Sequence, residues 1–442
     1  MRRGVPCLRG DTVEWAVLGI FCASLLLCIA LDASILYALA FGLILFLLYG
    51  RKRGFPWVEL LRMALNGVKT VRNVLITFLL IGMMTAFWRA AGTIPVIVGY
   101  ASGLIRPSVF LLMTFLLDCG VSFMTGTAFG TAATMGVICA TMGAAMGMSP
   151  VLTGGAVLSG VFFGDRCSPV STSALLVAAI TDTDIYGNIR RMLKSALIPF
   201  LLSCLIYLLL GFAGTGGSAA IDLKALFSRS FRLSWVALIP AAAVLLLSLL
   251  RADVKLSMGA GILTAIPICL AVQNIPPAEL LRIAAVGFYP RDAEVAAMVS
   301  GGGLLSMLKV AGIVCLSSSY SELFRKTGLL DGIRRRISVV SRKSTPYAAV
   351  LLTSAVSGLI ACNQTLTILL ADQLCKGEYD EKSRLALDLE DSAVVIAPLI
   401  PWSIAGGVPL ASIGAPTAAI LAAFYLFLIP LYRLLAGLRK NR

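Results

Sequence analysis

The sequence predicts an all-α polytopic membrane protein made of two inverted-topology repeats with discontinuous helices, and three observations carry that reading. Of the 442 residues, 59% are hydrophobic and 13% charged, with a mean hydropathy of +0.93. A soluble domain carries about 25% charged residues, so a soluble, disordered or fibrous chain is excluded. Apolar runs long enough for a hydrocarbon core of about 30 Å recur along the chain. The same order of polar breaks then appears in both halves.

The runs that qualify as spans are 13–31, 33–50, 73–91, 108–124, 194–214, 234–250, 256–273, 303–320, 346–371 and 415–436. Residues 13–31 follow a basic start, as a signal peptide would, but 33–50 follows almost at once, so a retained hairpin is expected rather than cleavage. The shorter apolar pieces 93–105, 128–163, 168–180 and 391–414 are cut by Gly, Pro, Ser and Thr. They read as half-helices or re-entrant hairpins, tolerated where protein or a wet cavity satisfies the freed backbone. The expected total is about 10–12 spans.

Repetition shows in the order of features rather than in identity. Trp88-Arg89-Ala90-Ala91-Gly92 ends one span and Phe324-Arg325-Lys326-Thr327-Gly328 another. Each is followed by an apolar helix with a polar break, Thr125-Gly126-Thr127 in one half and Asn363-Gln364-Thr365 in the other. An acidic residue and prolines come next: Asp165 with Pro169, then Glu390-Asp391 with Pro398 and Pro401. The halves are expected at 1–214 and 234–442, joined by a link at 215–233.

Charge placement supports inversion. Segment 51–72 holds Arg51, Lys52, Arg53, Arg62, Lys69 and Arg72, whereas its counterpart 274–302 mixes Arg282 and Arg291 with Glu279, Asp292 and Glu294. Segment 89–107 holds only Arg89 and Arg106, whereas 325–346 holds seven basic residues. Opposite biases at matching positions suit inverted repeats under the positive-inside rule. Both termini are then cytoplasmic and the link outside, against the basic Lys224, Arg229 and Arg232 in that link. Basic patches can also bind nucleic acid, but such short loops between spans favour topology, and no nucleic-acid partner is expected.

There is no histidine, which excludes Ser-His-Asp and Cys-His relays and His-ligated zinc or haem. The eleven cysteines form no C-x-x-C, so metal and redox motifs lack support. With no H-E-x-x-H, no G-x-S-x-G at a break and no Walker A sequence, neither an enzyme nor a nucleotide-driven pump is expected, and no cofactor.

The densest polar stretch runs from Ser159 to Ser173 and holds Asp165, Ser168, Ser171 and Thr172 around Pro169. Sodium takes oxygen ligands, including hydroxyls and the carbonyls freed where a helix unwinds. The bland reading pairs Asp165 with Arg166 or makes it a cap. The second stretch, Leu389 to Gly406, holds Glu390, Asp391 and Ser403; its acids fit a solvated helix start as well as a site. Thr125, Gly126, Thr127, Asn363 and Thr365 complete the candidate set, with a sodium site near Asp165. Asp118, inside an apolar helix, is a candidate second carboxylate or the partner of an arginine on a neighbouring span. Asp182 and Asp184 read as N-caps.

Both stretches resemble the NhaC-type sodium/proton antiporters of the ion transporter superfamily. That pattern, G-D-x-x-S-P-L-S-D-T-T and then L-E-D-S-G with L-I-P-W-N, is met by Gly164-Asp165-Arg166-Cys167-Ser168-Pro169-Val170-Ser171 and by Leu389-Glu390-Asp391-Ser392 with Leu399-Ile400-Pro401-Trp402. Thr172 stands where the pattern has aspartate, and Ser403 where it has asparagine. The resemblance covers most of the chain from about residue 70. It implies a secondary transporter of the cell membrane that exchanges sodium for protons. The alternative, also met in such families, is coupled exchange of a small organic anion or amino acid. The partners implied are the bilayer, sodium and protons or that solute, with room for a homodimer.

Overall fold

The computed structural model describes residues 10–31, 33–101, 106–213, 223–250, 252–329 and 345–440. Among them the regular elements are helices, with one isolated antiparallel bridge between Phe288 and Gly301. The protein is a multi-pass membrane protein. Seven described helices are long and apolar enough to cross a bilayer, and the pair Lys382–Leu399 and Ile404–Ser412, bent by 56°, makes an eighth.

The chain opens with α1 (Gly10–Ala30), α2 (Ile35–Lys52), α3 (Trp57–Thr70), α4 (Arg72–Ala90) and α5 (Thr93–Ala101). Buried Glu14 of α1 pairs with Arg53 just beyond α2, so the first two spans form a locked hairpin. The amphipathic α3 buries Leu60, Met63, Ala64 and Gly67. Then come α6 (Phe110–Thr125), α7 (Ala128–Thr131), α8 (Val137–Ala145), α9 (Pro150–Cys167), α10 (Thr172–Thr181) and α11 (Ile185–Ala213). A π turn over Ala132–Gly136 joins α7 to α8.

After the link come α12 (Leu223–Ser228), α13 (Ile239–Leu249), α14 (Val254–Ala271), α15 (Pro277–Val286), α16 (Ala293–Val299) and α17 (Leu308–Thr327). The last group is α18 (Pro346–Ala361), α19 (Gln364–Cys375), α20 (Lys382–Glu390), α21 (Ala393–Ile396), α22 (Ile404–Ser412) and α23 (Phe424–Lys440).

Small residues set the closest contacts, as expected where no hydrophobic drive separates helix from lipid. Gly160 and Gly164 of α9 lie on α6: a Cβ on Gly160 would sit 2.6 Å from that of Asp118, and one on Gly164 would fall on the Ser122 backbone. Tyr207 of α11 anchors the back of α9, its hydroxyl 2.7 Å from Ser159 Oγ and donating to the Ala422 carbonyl at 2.8 Å.

Three sequence expectations change. Residues 128–163 form no half-helices: Ala128–Ala145 runs on through its π turn, and Pro150 starts the unbroken α9. The glycines there let α9 approach α6 instead of breaking it. Residues 346–371 are not one span, because Cys362 takes a left-handed φ of 55° and Asn363 starts a new helix. Asp184 does cap α11, accepting from Gly187 N at 2.6 Å. Asp182 instead closes α10 and meets Lys382 at 2.8 Å, and this lysine holds the exposed carboxyl below the usual carboxylate range. Most of the basic run 325–343 lies outside the described residues.

Candidate ion-binding site

The site grows from the end of α9. The helix stops at Cys167; Ser168 is extended, its N–H donating to Gly164 O at 2.8 Å, and Pro169 has no N–H to continue the ladder. Ser171 caps α10 by accepting from the amides of Ser173 and Ala174. This turn folds the hydroxyls of α10 back over the last residues of α9.

Asp165 is 5% exposed and lies under that turn. Its Oδ2 accepts from Ser173 Oγ at 3.0 Å and from Gln364 Nε2 at 3.0 Å, and its Oδ1 from Ser171 Oγ at 3.3 Å. Its carbonyl accepts from the same two serines. One carboxylate, one carbonyl and two hydroxyls therefore crowd a small volume, a donor set suited to a hard cation. No basic side chain pairs with Asp165 among the described residues.

Arg166, the neighbour that might have neutralised it, turns the other way. Fully buried, it pairs with Asp391 and donates to Ser195 Oγ at 2.7 Å and the Met192 carbonyl at 3.3 Å. The second oxygen of Asp391 meets Arg433 Nε at 2.9 Å, and Arg433 also pairs with Asp388. Tyr379 donates to Asp388 at 2.7 Å, and Tyr347 to the Asp391 carbonyl at 2.9 Å. Two arginines and two aspartates thus close into a neutral quartet joining α9, α20 and α23.

Two crossings of broken helices hold the site. In the first half Gly126, with a φ of 65°, packs on the turn before α10: a Cβ there would lie 2.6 Å from Val170 Cγ2 and 2.8 Å from Ser171 N. In the second half Cys362 O accepts from Ile404 N at 3.0 Å, and Trp402 Nε1 donates to Leu359 O at 2.9 Å. Each half so runs helix, left-handed residue, capped helix, then helix, extended break, serine-capped helix. Thr127 and Asn363 cap at one break, Ser171 and Ser403 at the other. Gln364 links the halves, donating to Val394 O at 3.3 Å as well as to Asp165.

The candidate residues distribute unevenly. Ser171 reaches Asp165, and buried Glu390 lies in the same charge environment as Asp165, Arg166 and Asp391, neither of its oxygens hydrogen-bonded among the described residues. Asp391 belongs to the quartet. Ser168 stays in its own turn, accepting from Val170 N at 3.4 Å. Thr172 and Thr365 are exposed and make no bond to Asp165. Thr125 meets Thr131 at 3.0 Å and, with Thr127, borders a cleft shared with Thr134 and Ser257. Asp118 is buried beside the Cys139 thiol and Thr114, with no arginine partner among the described residues.

Sequence reasoning passed over Gln364 and Ser173 as ligands although both lie within the polar stretches. Helix period was the available signal: once Ser171 is the cap, residue 173 turns inward and 172 outward. Nothing in the sequence paired Arg433 with residues some forty positions earlier.

The profile of the Na+/H+ antiporter family matches residues 12–180 and again 160–437. The chain belongs to the Na+/H+ antiporter family. Among curated relatives, this antiporter is 28% identical over 401 residues to the Na(+)/H(+) antiporter NhaC of Alkalihalophilus pseudofirmus, covering 88% of this chain and 87% of that protein. It is 26% identical to the malate-2H(+)/Na(+)-lactate antiporter of Bacillus subtilis, over 88% of this chain and 85% of the relative. It is 28% identical to the arginine/ornithine antiporter ArcD of Halobacterium salinarum, over 84% of this chain and 79% of the relative.

Proposed function

We propose that this antiporter exchanges sodium for protons across the cell membrane, with Asp165 as the coupling carboxylate and Ser171, Ser173 and the Asp165 carbonyl as oxygen ligands to sodium. The observation that carries the reading is the division of charge at the end of α9. Arg166 is used up by Asp391, so the adjacent carboxylate keeps its charge for a mobile cation. A bare carboxylate at the bilayer centre costs about 2.5–3.5 kcal/mol on insertion scales. Either a sodium ion or a proton removes that cost, and the two exclude one another, so a single site exchanges them.

The two halves, 1–214 and 234–442, serve as inverted repeats whose broken helices move around the site, with both termini cytoplasmic. The matched order of left-handed and serine-capped breaks supports the repeat; the basic bias of 51–72 supports the orientation. Glu390 is the acidic neighbour of the cation. The runner-up is coupled exchange of an organic anion or amino acid, supported by the substrates in two relatives' names.

The test is sodium-driven dissipation of a pH gradient in proteoliposomes. Asp165→Asn keeps the shape and removes the charge, and should abolish sodium-dependent proton movement while folded yield is retained. Near wild-type exchange by that variant overturns the role of Asp165. Exchange that needs an organic solute in place of sodium overturns the sodium reading.

A further inference from the structure

A second polar feature lies outside the coupling carboxylate. The start of α11, the start of α20 and the end of α23 line an open cleft of about 620 Å³, within the volume range of metabolite pockets, with Arg191, Lys194 and Arg384 exposed at its mouth. Four basic residues line it, Arg191, Lys194, Arg384 and Arg433, against two acidic ones, Glu381 and Asp388. Asp388 is held by Arg433 and Tyr379. Lys194 and Arg384 have no acidic partner among the described residues, and Arg191 donates to an uncharged group, Asn188 Oδ1, at 3.2 Å. The lining therefore carries a surplus of two positive charges. The positive-inside rule accounts for basic residues near the ends of spans, but it does not require them to line one concavity.

We propose that this cavity is a binding site for a small soluble dianion with separated charges, of the dicarboxylate class. Two negative charges neutralise the surplus, and the geometry asks for two anionic groups some distance apart. Arg191 and Lys194 stand one turn apart on α11, while Arg384 lines the same cleft from α20 and Arg433 from α23. The site also has a consequence for transport. Arg433 and Ser195 both line the cavity and both contact Asp391, so the cavity reaches the buried quartet. A sodium ion approaching along it meets net positive charge, which a bound dianion removes.

The experiment measures binding directly and does not depend on the sodium reading. Purified full-length protein in an uncharged detergent is titrated with succinate by calorimetry, with acetate as the monoanion control. Saturable succinate binding is expected, at least tenfold tighter than acetate and weakened by added salt. Lys194→Gln with Arg384→Gln should weaken it tenfold or more, whereas Lys194→Arg with Arg384→Lys, which keeps the charges, should retain it. Absence of saturable binding, equal binding of acetate, or indifference to the charge-removing pair overturns the proposal. It is overturned equally if protein in zwitterionic nanodiscs binds succinate but phosphatidylglycerol in the nanodisc abolishes that binding, since the rim is then a lipid headgroup site.

Discussion

Replacing Asp391 by asparagine separates a structural role from a coupling role. Asp391 and Arg166 are both fully buried and bonded to each other. Asp391→Asn removes the one carboxylate bonded to Arg166, leaving it the Met192 carbonyl, the Ser195 and Tyr425 hydroxyls and the Cys167 sulfur, with Glu390 near but not bonded to it. Breaking a buried pair by removing one partner costs about 3–5 kcal/mol, which at about 1.4 kcal/mol per decade is a loss of some two to nearly four decades in the folding equilibrium. Arg433 adds less, since its side chain is 23% exposed and keeps Asp388. Removing both charges, as in Arg166→Met with Asp391→Leu, should restore most of the stability, because buried pairs replaced by apolar side chains are often neutral. The assay is the midpoint of thermal unfolding by fluorescence-detected size exclusion for wild type, Asp391→Asn, Arg166→Met and the double variant. A variant Asp391→Asn as stable as wild type, yet inactive in exchange, would refute the quartet as a structural lock and make Asp391 a coupling group.

Other substitutions test the neighbouring joints. Gly126→Ala places a Cβ 2.6–2.8 Å from Val170 and Ser171 at a φ of 65°, and should cost about 1–3 kcal/mol; an unshifted unfolding midpoint would show that the break tolerates separation. Tyr207→Phe removes the hydroxyl shared by Ser159 and the Ala422 carbonyl, an expected loss of about 1–3 kcal/mol, read by the same melt. Thr172→Asp adds a carboxylate to the first turn of α10, stabilising that terminus by about 0.3–1 kcal/mol, but since residue 172 is exposed and points away from Asp165 the apparent KM for sodium should stay unchanged. A lowered KM or a shifted pH profile would place residue 172 in the ion path.

Much of this architecture is legible in the sequence, because a bilayer imposes its demands residue by residue. Apolar runs near 20 residues, the absence of histidine and the glycine- and proline-rich breaks each state a local requirement, and the motifs around Asp165 and Glu390 named the family before any fold was known. The position of a helix break is local chemistry too: Pro169 lacks an amide donor and Ser171 is a good cap wherever they occur. What lay beyond the sequence was partnership across distance. Arg166 is adjacent to Asp165 yet bonds to Asp391, 225 positions later, because successive helical residues point about 100° apart and face different neighbours. Gln364 reaches Asp165, and Thr365 does not, for the same reason. The glycines of 150–167 looked like helix breakers, and only the packing of α6 on α9 shows that they are there to let two backbones touch. Residue types and their order are set along the chain, whereas which carboxylate remains free for an ion is decided by which helices meet.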